Sequence, residues 1–182
     1  MQHIVVDLEA TCWDPPEPDR MEIIEIGAVR LDSDLEVVGD FDSFVRPATE
    51  PVLSPFCQQL TTISQADVDA ADSFPAVFSR FLEWIGAADY RLCSWGAYDV
   101  TQFRSDCRRH GVVFPDRFEK QHVNLKELFA ESQDVGRCEL PAAFEHVGLS
   151  LVGTYHRGID DARNIARIAQ VVLPDLPVGD AG

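Results

Sequence analysis

HIVVDLEA (residues 3–10), MEIIEIGAVRL (residues 21–31) and LEVVGDFDSFVRP (residues 35–47) carry the reading of the fold. HIVVDL is a short apolar run, the second stretch is rich in β-branched residues, and the third ends at Pro47. Between the last two, Asp32-Ser33-Asp34 reads as a hairpin turn. Three strands in antiparallel succession are expected. Downstream the period changes. Phe74, Val77, Phe78, Phe81, Leu82 and Ile85 recur every three or four residues, which predicts a helix with Ser73 as its N-cap. RLCSW (91–95) reads as a strand and DVTQFRSDCRRHG (99–111) as a helix ending at Gly111. A short strand near 122–124 leads into LKELFAE (125–131), and helices follow at about 139–147 and 159–173. Strands first, then strand–helix alternation, predict an α/β fold with a mixed sheet and helices packed on it.

At 182 residues the chain is one ordinary domain long, and its 46% hydrophobic content excludes disorder. From Leu173 the chain is rich in Pro and Gly and is expected to fray. The reading is therefore a single domain over 1–174 and a flexible tail over 175–182. Acids outnumber Lys and Arg by 31 to 15, a net charge of −16. That charge disfavours indiscriminate binding to phosphate backbone or to an anionic membrane. A nucleic-acid partner would have to be gripped locally, through bound cations. Five dispersed cysteines without a CxxC pair make neither a zinc site nor a disulfide framework. The N-terminus shows no signal peptide or membrane span, so a cytoplasmic protein with reduced thiols is expected.

The chemistry gathers at three places. Asp7 and Glu9 bracket Leu8 at the end of the first strand, and side chains at i and i+2 leave a strand on the same side. Asp99 begins the helix after RLCSW and shares a face with Phe103 one turn on, though helix-dipole compensation is an alternative role. In TYHRGIDDARNIARIAQVV (154–172) two adjacent acids separate by helical phase. Asp160 falls in line with Arg163, Asn164 and Arg167, and either caps the helix or pairs with Arg163. Asp161 falls in line with Ile165 and Ile168, and so points inward, where a carboxylate is costly without a cation. His156 precedes this helix, with Gly158 allowing the chain to bend between them.

Two unit charges about 4 Å apart repel by roughly 4 kcal/mol at an effective dielectric near 20. Four inward carboxylates, Asp7, Glu9, Asp99 and Asp161, therefore require protons or cations. All-oxygen ligation suits Mg²⁺ or Mn²⁺, and a pair of such ions serves in-line displacement at a phosphodiester. His156 would take the proton from the attacking water.

DLEATCW (7–13), EIIEIGAV (22–29), FVRP (44–47), LSPFCQQLT (53–61), SWGAYD (94–99), NLKELF (124–129) and HRGIDDARNIARI (156–168) occur in this order. Together they resemble the DEDDh 3′–5′ exonuclease family, in the branch of the histone-mRNA 3′ exonuclease and the sporulation inhibitor exonucleases. The resemblance implies an RNase H-like fold with a five-stranded mixed sheet flanked by helices. It implies that Asp7, Glu9, Asp99 and Asp161 hold two Mg²⁺ or Mn²⁺ ions and that His156 is the general base. The implied partner is a single-stranded RNA or DNA 3′ end, RNA before DNA, and the product a nucleoside 5′-monophosphate. Glu9, Ala10 and His156 also match positions that contact the terminal nucleotide. Leu8, Thr11, Leu60 and Tyr98 are further candidates for that pocket, with core packing the alternative for each. A DNA-directed or short-oligonucleotide exonuclease, or a catalytically idle module binding RNA ends, stays open.

Two departures stand out. Thr62 occupies a loop position where the family commonly has Gly. The chain also begins directly at the catalytic strand, without an appended nucleic-acid-binding domain, so a weak hold on long substrates is expected. Arg104, Arg108, Arg109, Arg157 and Arg163 are candidates to contribute to that hold, and Trp13 is a candidate to stack on a base.

Overall fold

The computed structural model describes residues 1–175. Five strands form one sheet: β1 (Gln2–Ala10), β2 (Ile23–Leu31), β3 (Val37–Phe44), β4 (Tyr90–Ser94) and β5 (His122–Asn124), in the order β3-β2-β1-β4-β5. β1, β2 and β3 pair antiparallel as expected, whereas β4 pairs in parallel with β1, and β5 in parallel with β4, through helical crossovers. The helices are α1 (Pro55–Thr61), α2 (Gln65–Ala70), α3 (Phe74–Ile85), α4 (Tyr98–His110), α5 (Asp116–Lys120), α6 (Leu125–Ser132), α7 (Leu140–His146) and α8 (Gly158–Val172).

Strand alternation assigns each face its helices. Ile4, Val6, Leu8, Ile26 and Ala28 pack with Phe78, Phe81, Phe103 and Phe118 of α3, α4 and α5. Val5, Val29 and Leu31 face the other way, against Phe129, Phe144, Ile165 and Ile168 of α6, α7 and α8. Asp7, Glu9, Glu25 and Gly27 share the parity of this second face. Along it the sheet changes from aliphatic to acidic as β1 runs toward its C-terminal end. A third cluster, Ile24, Leu53, Cys57, Ile63 and Val68, seats α1 and α2.

Two glycines set how closely α8 lies on the sheet. A Cβ on Gly27 would stand 2.0 Å from the carbonyl carbon of Gly158, and a Cβ on Gly158 would stand 3.1 Å from the Asp7 oxygen. Strand and helix backbones touch here because neither residue has a side chain.

Several expectations are corrected. β1 is longer than HIVVDL and carries Asp7 and Glu9 within it, because β2 continues to pair opposite them. α1, α2 and α5 were not anticipated. Ser73 occupies the N-cap of α3 but makes no side-chain capping bond. Fraying does not begin at Leu173: Leu173–Asp175 forms a 3₁₀ turn, and Leu173 is buried among α8 residues. The rest of the expected tail, 176–182, lies outside the described residues. Among the described residues no helix is long and apolar enough to cross a membrane.

Candidate active site

β4 pairs with β1 only from Gln2 to Val5, so the far half of β1 has no strand neighbour on that side. The gap is filled by the start of α4. Asp99 accepts the Leu8 N–H at 3.0 Å through Oδ1, which places its carboxylate beside the Asp7 and Glu9 segment. From the opposite face α8 brings Asp161, 3% exposed, with Ile165 and Ile168 fully buried along the same stripe. Asp161 Oδ2 accepts the His156 N–H at 2.7 Å. Ligand atoms of Glu9, His156 and Asp161 lie within 4.8 Å of one another. A cleft of about 300 Å³ opens over these groups, lined among others by Asp7, Leu8, Glu9, Ala10, Asp99, His156 and Asp161.

Burial and mutual repulsion dominate the electrostatics. Burial pushes the Asp7 carboxyl well above the usual range, and Asp99, Glu9 and Asp161 push it further. Glu9 is raised to about 8 by burial and then by Asp161, Glu25 and Asp99. Asp161 is raised to about 7, mainly by burial, although the His156 N–H opposes this. Asp99 reaches about 6, burial outweighing its bond from Leu8. Burial lowers His156, so the imidazole is neutral near neutral pH. Asp161 Oδ1 is buried and has no hydrogen-bond partner among the described residues. An orphaned carboxylate oxygen inside an acid cluster fits a cation ligand. Hard oxygen donors with one imidazole fit a divalent cation of the Mg²⁺ or Mn²⁺ kind.

The structure thus brings Asp7, Glu9, Asp99, Asp161 and His156 together, with Leu8, Ala10, Leu60 and Tyr98 on the cleft wall. Thr11 is placed elsewhere. It is 1% exposed, and its hydroxyl accepts the Glu22 N–H at 2.9 Å, so it ties β1 to β2. Trp13 lies under the Arg20 guanidinium, 4.7 Å from the ring centroid, while Trp95 lines the cleft instead. The bend before α8 falls on His156 itself, at φ 64, and Gly158 serves the close approach to Gly27 rather than the bend. Asn164 leaves the expected polar face and is 2% exposed, exchanging hydrogen bonds with the Val152 backbone. Asp160 pairs with Arg163 and accepts the Thr154 N–H.

Four of the candidate substrate arginines are engaged in ion pairs: Arg104 with Glu119, Arg109 with Asp106, Arg157 with Glu25 and Arg163 with Asp40. Tyr155, whose ring lies 4.1 Å from that of His156 at a tilt of 39°, was missed, as were Cys12, Met21, Glu139 and Leu140 on the cleft wall. Only the adjacency of Tyr155 and His156 was visible beforehand.

Strand order, helix placement and the acid–histidine set define a chain of the RNase H-like class with a cleft suited to divalent cations. More narrowly, it belongs to the exonuclease family, whose model matches residues 4–169. The chain is 36% identical to 3′-5′ exoribonuclease 1 of Mus musculus and 34% identical to that of Homo sapiens, over 94% of its own length and 52% of theirs. It therefore spans about half the length of these relatives. Among solved structures, the nuclease domain of 3′hExo, described as a DEDDh family member bound to rAMP, superimposes with a TM-score of 0.89 at 34% identity. That match covers 96% of this chain and 92% of that one. Exonuclease I shares the fold at a TM-score of 0.78 and 13% identity, over 96% of this chain and 42% of that one.

Proposed function

We propose that this chain is a divalent-metal-dependent 3′–5′ exonuclease that acts on single-stranded 3′ ends, RNA before DNA, and releases nucleoside 5′-monophosphates. The observation that carries this is the buried Asp161 Oδ1, unpartnered beside Asp7, Glu9 and Asp99, which burial raises, the first two further by their acidic neighbours. Such a cluster ionises together only when cations occupy it. The exoribonuclease names of the relatives support RNA as the substrate.

Asp7, Glu9 and Asp161 would hold one ion, and Asp7 with Asp99 the other. Mg²⁺ or Mn²⁺ held there would supply charge stabilisation at the phosphodiester and make a bound water acidic. His156, whose burial favours the neutral imidazole, takes the proton from the attacking water. Asp161 fixes the backbone of His156, so one carboxylate both faces the cleft and orients the base. Leu60 and Tyr98, 36% and 43% exposed, stand at the cleft as apolar surfaces for the terminal nucleoside, with Leu8 and Ala10 beneath. The single domain over 1–174 is the unit that carries the activity.

The test is a time course on matched 5′-labelled RNA and DNA oligonucleotides, with Mg²⁺ or Mn²⁺ and with chelator. A ladder shortening from the 3′ end, faster on RNA and lost on chelation, is expected. Stable binding without mononucleotide release in Mn²⁺ would overturn the reading in favour of an idle end-binding module.

A further inference from the structure

Glu25 is fully buried on the α8 face of β2, with its Cα paired to that of Glu9 in the β1–β2 ladder. Like charges directly opposite on one face are destabilising, so a second carboxylate here needs a compensating role. It does not line the cleft. Its oxygens turn beneath the chain that leads into α8: Oε2 accepts Gly158 N–H at 3.0 Å and Arg157 Nε at 3.2 Å, while Oε1 accepts Arg157 Nη2 at 3.2 Å. Arg157 is closed from the other side by the Phe44 ring, 5.1 Å from its guanidinium carbon. Asp42, raised to about 6 by burial and by Glu25, completes this small polar layer.

The residue immediately before Arg157 is His156, held in the left-handed region at φ 64. A non-glycine residue stays there only when its surroundings over-determine it. The turn has two such anchors. Asp161 holds the His156 N–H from within α8, and Glu25 holds the next two residues from the sheet. With one anchor removed, the imidazole is free to leave its position near Glu9 and Asp161.

We propose that Glu25 is a positioning residue for His156, acting through the Arg157 guanidinium and the Gly158 N–H to hold the general base over the acid cluster. This rests on the exonuclease reading above. Because Glu25 acts through His156, its removal costs no more turnover than removal of His156 itself, and the two losses do not add.

The experiment compares wild type, Glu25→Gln, Arg157→Gln, His156→Ala and the double variant Glu25→Gln/His156→Ala. Glu25→Gln keeps the volume and one acceptor oxygen, and Arg157→Gln alters a partly exposed side chain, so it serves should the buried change unfold the chain. Expected for both is a fall in kcat of roughly ten- to a hundredfold with KM within about twofold. The double variant should match His156→Ala alone. In metal-free protein, hydrogen exchange over 154–160 should quicken in Glu25→Gln whether or not the protein turns over. An unchanged kcat, an additive double variant or unchanged exchange overturns the proposal. Quickened exchange in Glu25→Gln, together with a wild type that releases no mononucleotide, would instead overturn the exonuclease reading and leave Glu25 as an anchor of the turn.

Discussion

Replacing Gly27 by Ala tests whether the site depends on backbone contact between β2 and α8. The added Cβ would meet Gly158 C at 2.0 Å, Ile159 N at 2.2 Å and Gly158 O at 2.3 Å, all main-chain atoms that no rotamer change can move. Restoring the nearest pair to an ordinary 3.4 Å needs a separation of about 1.4 Å between strand and helix start. Overpacking of this kind costs about 1–3 kcal/mol, and at this size each kcal/mol lowers Tm by about 2–4 °C. The same displacement carries His156 and Asp161 away from Asp7 and Glu9. A misplacement of about 1 Å costs roughly 10²-fold in rate, so kcat should fall by that order in a protein that still folds. Gly39→Ala on β3 is the matched control, since its Cβ would meet only the Trp84 indole nitrogen, at 4.0 Å, and it should change neither quantity. Thermal melts and single-turnover cleavage of a labelled oligoribonucleotide give the two readouts. A folded Gly27→Ala protein with kcat within twofold of wild type would refute the argument, because the clash would then have been relieved without moving the site.

Further expectations follow from other residues. Thr62 ends α1 at φ 60, a left-handed conformation that costs an L-residue about 1–2 kcal/mol, so Thr62→Gly should raise stability by about 1 kcal/mol in denaturant titration. A lower midpoint would show that the Thr side chain contributes more than the backbone strain costs. Folding raises Asp7 well above the carboxylate range, Glu9 to about 8 and Asp161 to about 7, so the metal-free folded chain holds these protons more tightly than the unfolded one. Their contribution to stability is complete below about pH 4 and is lost as pH rises through about 7–8. Melts in chelator should therefore fall between about pH 6 and about pH 8.5, with Mg²⁺ restoring Tm most at the upper end. A flat metal-free profile would count against the acid cluster. Asp161→Asn removes the orphaned charge, so turnover should vanish while the metal-free protein melts no lower than wild type. Residual turnover within tenfold would exclude Asp161 from the chemistry.

The parts of the site that were legible in the sequence were those set by a single period. Alternation along β1 put Asp7 and Glu9 on one side, and the 3.6-residue period of α8 chose Asp161 over Asp160. The resemblance across ordered motifs then joined elements that periodicity alone could not bring together. What escaped was of two kinds. α1, α2 and α5 span five to seven residues, too few for a periodic stripe; α1 and α2 are marked only by caps, Ser54 on Cys57 N–H and Ser64 with Asp67, and α5 has no side-chain cap. The rest is tertiary. No pattern within β2 reveals that Gly27 faces Gly158, that Glu25 reaches Arg157, or that Thr11 turns to Glu22 rather than to the cleft. The decisive event is the end of β4 pairing at Val5, which leaves the Leu8 N–H free for Asp99. Strand length is among the least local features of a sequence, since it depends on whether a neighbour is still there. The same unpaired half-strand that would be a defect elsewhere is what lets a carboxylate from α4 meet two from β1, while the close approach of Gly158 to Gly27 brings the one from α8.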